Sequence, residues 1–194
     1  MLFRSVALQP PGWRIERDAL ATAVTDRTKA IIFNNPHNPT GRLFDVAELD
    51  AVASVACAHD LIVISDEVWE HLLMDGQDFV PVAALPGMAE RTLKCGSAGK
   101  IFSLTGWKIG WVAAAPELAT LAARAHQFLT FASAPNLQAA VAFGLNEGDD
   151  WLVPMRQRFA RARSGRATPK KAAFATFANI FRKILRAEKP RYSN

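Results

Sequence analysis

Residues 29–41 read KAIIFNNPHNPTG, and the fold class follows from this stretch. Ile31-Ile32-Phe33 is a compact apolar run, too short for a helix, that stops at a polar turn punctuated by Pro36 and Pro39. A strand over Lys29–Phe33 is predicted, with a shaped loop after it. Downstream, Asp45 and Glu48 make a capping-box-like start for a helix whose apolar positions Val46, Leu49, Val52, Ala53, Ala56 and Cys57 recur at helical spacing. Leu61–Ser65 (LIVIS) is then a buried strand, ending at Asp66-Glu67. Upstream, Glu16–Val24 reads as a short helix. Helices alternating with continuous apolar strands predict an α/β fold, a mostly parallel sheet with helices on both faces.

The same reading extends toward the C-terminus. Thr92–Cys95 and Ile109–Ala115 are predicted as further strands. Pro116 suits the first turn of a helix in which Leu118, Leu121, Ala122, Ala125, Phe128 and Leu129 form one apolar stripe. More helices are expected around 136–146 and 149–163.

With 194 residues, half of them hydrophobic, the chain can bury one substantial core but does not promise two. The net charge of +5 invites a nucleic-acid partner, yet residues 1–160 hold 13 Lys/Arg against 17 Asp/Glu, whereas 161–194 hold 10 against Glu188 alone. All the basicity lies in the tail, which lacks the interleaved aromatics of single-strand binders, so no nucleic-acid partner is expected. Cys57 and Cys95 have no CxxC spacing and read as two buried thiols. His37, His59, His71 and His126 lack ligand spacing, so no metal is assigned. No apolar run reaches a membrane span or a signal core, which makes a cytoplasmic location the default and a membrane partner unexpected.

In sheets of this kind ligands collect at the carboxyl ends of the strands. That is where the sequence puts Asn38, Asp66 and Lys100. Lys100 sits in GSAGKIFSLTGWKIGW (96–111), where a tight loop would place its amine to form a Schiff base, activated by burial and by a neighbouring cation such as Lys108. Asp66, at a strand mouth, should have a cationic partner, for which the protonated nitrogen of a pyridine-ring cofactor would serve; the alternative is a carboxylate capping the next helix. Asn38 is held by Pro36 and Pro39 so that its amide can donate in a fixed direction, although NPTG is also an ordinary strand-to-helix loop. Ser97 and Lys108 could grip a phosphate, or be loop polarity. Trp107 and Trp111 read as packing residues rather than a stacking platform.

Taken together, NNPHNPTG, SDEVWEHL, SAGK and TGWKIGW resemble, in order and spacing, the class I/II aminotransferases of the type I pyridoxal-phosphate fold, especially the kynurenine or methionine aminotransferase-like branch. The resemblance runs from about Arg14 to about Asp150. It implies an incomplete large domain over 1–160, with 161–194 a basic, atypical tail. It also implies that Lys100 carries pyridoxal 5'-phosphate and moves the substrate proton. Asp66 would pair with the pyridinium nitrogen, Asn38 would bond the phenolic oxygen, and Ser97 with Lys108 would bind the phosphate. Where the family usually has tyrosine, this chain has Trp69, which can donate but not accept a hydrogen bond. The implied reaction transfers an amino group from an amino acid to a 2-oxo acid, in enzymes that are homodimers. A carbon–sulfur β-lyase uses the same lysine and aspartate, and a non-catalytic truncated remnant is the other reading. Family chains also have a glycine-containing phosphate loop, a stacking aromatic and a small domain with a carboxylate-binding arginine. These are not found here, and the abrupt change of composition at ARSGRATPKKAAFATF reads as a truncated or frameshifted frame.

Overall fold

The computed structural model describes residues 3–73, 76–147 and 149–164. Two compact units make up the chain, Met1–Ser133 and Ala134–Asn194. The basic stretch from 165 onward lies outside the described residues.

In the first unit, helix α1 (Arg17–Ala23) precedes strand β1 (Ala30–Asn34), helix α2 (Val46–Ala58) and strand β2 (Ile62–Asp66). Strand β3 (Thr92–Ser97) leads directly into the single-turn helix α3 (Ala98–Ile101). Strand β4 (Gly110–Ala113) and helix α4 (Pro116–Leu129) follow. The second unit contains helices α5 (Pro135–Asn146) and α6 (Asp149–Arg163).

The sheet has the order β1-β2-β3-β4, parallel for the first two pairings and antiparallel for the last. It is therefore mostly parallel, as expected. Parallel pairing brings the carboxyl ends of β1, β2 and β3 to one edge, because Asn34 lies opposite Asp66 and Asp66 opposite Cys95. Antiparallel return of β4 folds the segment 98–109 back onto β3: Ala98 N–H donates to the Ile109 carbonyl at 3.1 Å, and Ser97 lies opposite Gly110. The topology thus closes the lysine-bearing segment into a loop at that same edge.

α2 begins as its sequence predicts. Asp45 is the N-cap, its carboxylate accepting the Glu48 N–H, while the Glu48 carboxylate accepts the Asp45 N–H. Leu49, Val52, Ala53 and Ala56 bury against Phe33 and Val63 of the sheet, with Phe44, Leu61, Val82 and Met88 completing the core. Burial of side chains such as Leu49 and Val52 contributes about 1.5–3 kcal/mol each. The rings of Phe33 and Phe44 pack 5.6 Å apart and tie the Asn38 loop to this core.

Three packing expectations are corrected. Val46 and Cys57, at the two ends of α2, are exposed, because the core ends before it reaches them. The Cys57 sulfur sits 3.7 Å from the Gly87 carbonyl and 3.9 Å from Met88 Sδ, and Cys95 is only half-buried, so neither thiol is a buried core group. The α4 stripe exists as a pattern, but none of its residues is buried, and Phe128 is 89% exposed. On the sheet face opposite Phe33 and Val63, Ile32 is 63% exposed.

Candidate active site

The carboxyl edge of the sheet assembles two groups of polar residues. The first links Asn38 to Asp66. Asn34, the last residue of β1, accepts the Asn38 N–H on its side-chain oxygen at 2.7 Å and donates from its amide nitrogen to the Asp66 carbonyl at 3.0 Å. That carbonyl also accepts the Asn35 N–H at 3.1 Å. The loop is closed on itself by His37 N–H to the Arg42 carbonyl and Gly41 N–H to the His37 carbonyl, both 2.8 Å. Asn38 is exposed at its tip.

Asp66 is half-buried. Its Oδ1 lies 3.4 Å from the Val68 N–H, a long local bond at the start of the turn, and among the described residues no ion pair involves it. The residues that follow, 68–71, form a turn and not a helix, so the alternative in which Asp66 caps the next helix is corrected. A half-buried carboxylate with no ion pair among the described residues can still accept a cation, since a partly desolvated charge is costly without a partner.

The second group lines a cavity of about 270 Å³ formed by Ser97, Gly99, Lys100, Thr105, Lys108, Ile109 and Gly110. Ser97 from the end of β3, Lys100 from helix α3 rather than from the tight loop expected, and Lys108 from the segment before β4 thus border one space. Lys108 adopts φ +57°, a left-handed conformation that costs a non-glycine residue energy and recurs at ligand-binding loops. Thr105 Oγ1 donates to the Gly99 carbonyl at 3.1 Å and braces the loop. A Cβ at Gly96 would fall 2.2 Å from the Trp111 indole, so glycine is what lets Trp111 lie flat on β3. Trp111 is accordingly a packing residue, as its sequence context suggests.

The two groups meet through Trp69. The Lys100 ammonium lies 5.0 Å from the centre of the Trp69 ring, in a turn three residues beyond Asp66. Asn38, Asp66 and Trp69 do not themselves line the cavity. This donor set suits a phosphorylated pyridine aldehyde: an amine for the aldehyde, a hydroxyl and a cation for the phosphate, and an acid without an ion-pair partner for the ring.

Two buried glutamates flank these residues. Glu48, 3% exposed, receives Arg42 through both guanidinium nitrogens at 2.6 and 2.7 Å and accepts the backbone N–H groups of Ile15 and Asp45. Desolvation pushes its pKa up, but the Arg42 hydrogen bonds, the two backbone donors and the Arg42 charge together hold it below the ordinary glutamate value. Glu67, fully buried, accepts from Ser65 Oγ at 2.8 Å and from the Val82 N–H at 3.1 Å on Oε1, while Lys94 Nζ stands 3.6 Å from Oε2 and pairs more closely with Glu70. Desolvation dominates there and raises the pKa.

A family profile described as "Aminotransferase class I and II" matches residues 2–166. The chain belongs to the class I and II aminotransferases. Among this family's solved structures, N-succinyldiaminopimelate aminotransferase from Mycobacterium tuberculosis is 45% identical with a TM-score of 0.75, covering 79% of this chain and 40% of that one. YbdL from Escherichia coli, described as having a methionine aminotransferase function, is 32% identical with a TM-score of 0.76, over 81% and 42%. The kynurenine–oxoglutarate transaminase of Dictyostelium discoideum is 45% identical over 137 residues, 70% of this chain and 32% of that protein. The chain spans about two-fifths or less of the length of these relatives. No helix among the described residues is long and apolar enough to cross a membrane.

For this aminotransferase chain, sequence reasoning finds the residues of the strand ends but misses those that hold them. Asn34, Glu67 and Thr105 carry no local signal beyond their place in the quoted motifs. Each acts through a partner fixed only by strand pairing or loop closure.

Proposed function

We propose that this chain forms the part of an aminotransferase large domain that binds pyridoxal 5'-phosphate, and that the complete site transfers an amino group from an amino acid to a 2-oxo acid. The observation that carries this reading is the convergence of Ser97, Lys100 and Lys108 on one cavity, with the Trp69 ring against the Lys100 amine. When bound, the cofactor supplies an electron sink for the charge that develops at the substrate Cα. Lys100 holds the cofactor through its amine and then serves as the base and acid that moves the Cα proton. Asp66 keeps the ring nitrogen protonated by offering it a carboxylate. Asn38 donates to the phenolic oxygen, Trp69 supplies a ring face to the Lys100 amine, and Ser97 with Lys108 binds the phosphate. Pairing of two such chains and a cytoplasmic setting belong to the same reading, supported by the family resemblance.

The test is to incubate the full chain with pyridoxal phosphate, reduce with borohydride and map the modified peptides. A visible band lost on reduction, with the label on Lys100 and absent from Lys100→Ala, is expected. Label spread over surface lysines at the same level in both proteins would overturn the proposal.

A further inference from the structure

The side chain of Asn34 spans two residues proposed to meet the cofactor ring. Its oxygen takes the Asn38 N–H at 2.7 Å and its nitrogen gives to the Asp66 carbonyl at 3.0 Å. Both partners are backbone groups whose sense is invariable, one a donor and one an acceptor, so the orientation of the Asn34 amide is dictated by them. Asn34 is also rigidly based: it ends β1 directly opposite Asp66 in the parallel register. Asn38, by contrast, is exposed at the tip of a loop and has no strand to hold it.

We propose that Asn34 is the positioning residue that sets the spacing between Asn38 and Asp66, and through them the seat of the cofactor ring. The inference rests on the proposed function, since it assumes that these two residues face the ring oxygen and the ring nitrogen. Only a primary amide of this length serves both partners. A carboxylate accepts from Asn38 but cannot donate to Asp66, and an apolar isostere does neither.

The experiment uses two variants of the full chain, Asn34→Leu and Asn34→Asp. Amide hydrogen exchange is measured without cofactor. In Asn34→Leu the Asn38 N–H should exchange about 10-fold faster or more, as expected when an exposed amide loses its acceptor. The Asn35 N–H, bonded to the Asp66 carbonyl, should stay protected. In Asn34→Asp the Asn38 N–H should remain protected.

Each lost bond is worth a factor of about 2 to 10 in an equilibrium, so Asn34→Leu should raise the Kd for pyridoxal phosphate about 10-fold. Asn34→Asp should raise it less. In both, the visible band should move while borohydride still places the label on Lys100, a signature that mere loss of stability would not produce. Unchanged Asn38 exchange in Asn34→Leu, or an unmoved band and Kd in both variants, overturns the role of Asn34. Should Asn34→Leu fail to fold, Asn34→Asp decides the question through its band and Kd. Failure of the unsubstituted chain to label Lys100 instead overturns the underlying functional reading, and this inference with it.

Discussion

Glu48 and Glu67 are both buried carboxylates, one beneath the Asn38 loop and one beneath the turn that follows Asp66, yet their surroundings treat charge oppositely. Glu48 takes four donors from three segments, and its ionised form is favoured. Glu67 has two donors on one oxygen, while its other oxygen makes no hydrogen bond and shares a lysine with Glu70. Its neutral form gains. Burial alone does not set the charge state; the number and aim of donors facing the group do. One loop is locked by a saturated ion, the other turn by an uneven sharing of one cation, Lys94, between Glu67 and Glu70.

The largest effect should come from Lys94→Met, which takes the lysine from two poorly exposed carboxylates and leaves only His71, 3.5 Å from Glu70, beside them. A loss of about 3–5 kcal/mol is expected in urea unfolding, as for other buried pairs broken on one side. Arg42→Met should cost less, about 2–3 kcal/mol, because it strips one carboxylate of its cation rather than two, and Glu48 keeps its two backbone donors with Arg14 3.9 Å away. If Arg42→Met proves the more damaging, the contrast between saturated and undersatisfied carboxylates is wrong.

Stability measured against pH sharpens the same contrast. The Glu67 pKa is raised above the ordinary 4.5, so its contribution is greatest below that pH and declines as pH rises toward its folded value. The Glu48 pKa is lowered, so its contribution is present above 4.5 and is lost as pH falls through its folded value. Glu67→Gln should therefore flatten the decline on the upper side and Glu48→Gln the decline on the acid side. Matching profiles for the two variants would break the comparison. The smallest change, about 1 kcal/mol, is expected for Asp45→Ala, which removes the N-cap of α2 but leaves the Arg42–Glu48 pair in place.

What can be read from residues in order differs in kind from what cannot. The strand over Ile31–Phe33 and the Asp45–Glu48 cap depend on neighbours within a few positions, and both occur as expected. The α4 stripe has equally regular spacing, but spacing states only which residues share a face. Whether that face is covered depends on elements distant in sequence, and Phe128 and Leu129 remain exposed. Cys57 departs from its pattern for the same reason, since it lies just past Ala56, the last buried position of α2.

At the candidate site, four motifs in order are enough to place Lys100, Asp66, Asn38, Ser97 and Lys108 at strand ends, because strand, loop and helix signals are local chemistry. The parallel register that sets Asn34 against Asp66, the antiparallel return that brings Lys108 back to Ser97, and the approach of Trp69 to Lys100 belong to tertiary structure alone. Each joins residues whose separation along the chain is bridged only when the sheet forms, and hydrogen-bond geometry then selects which side chains meet.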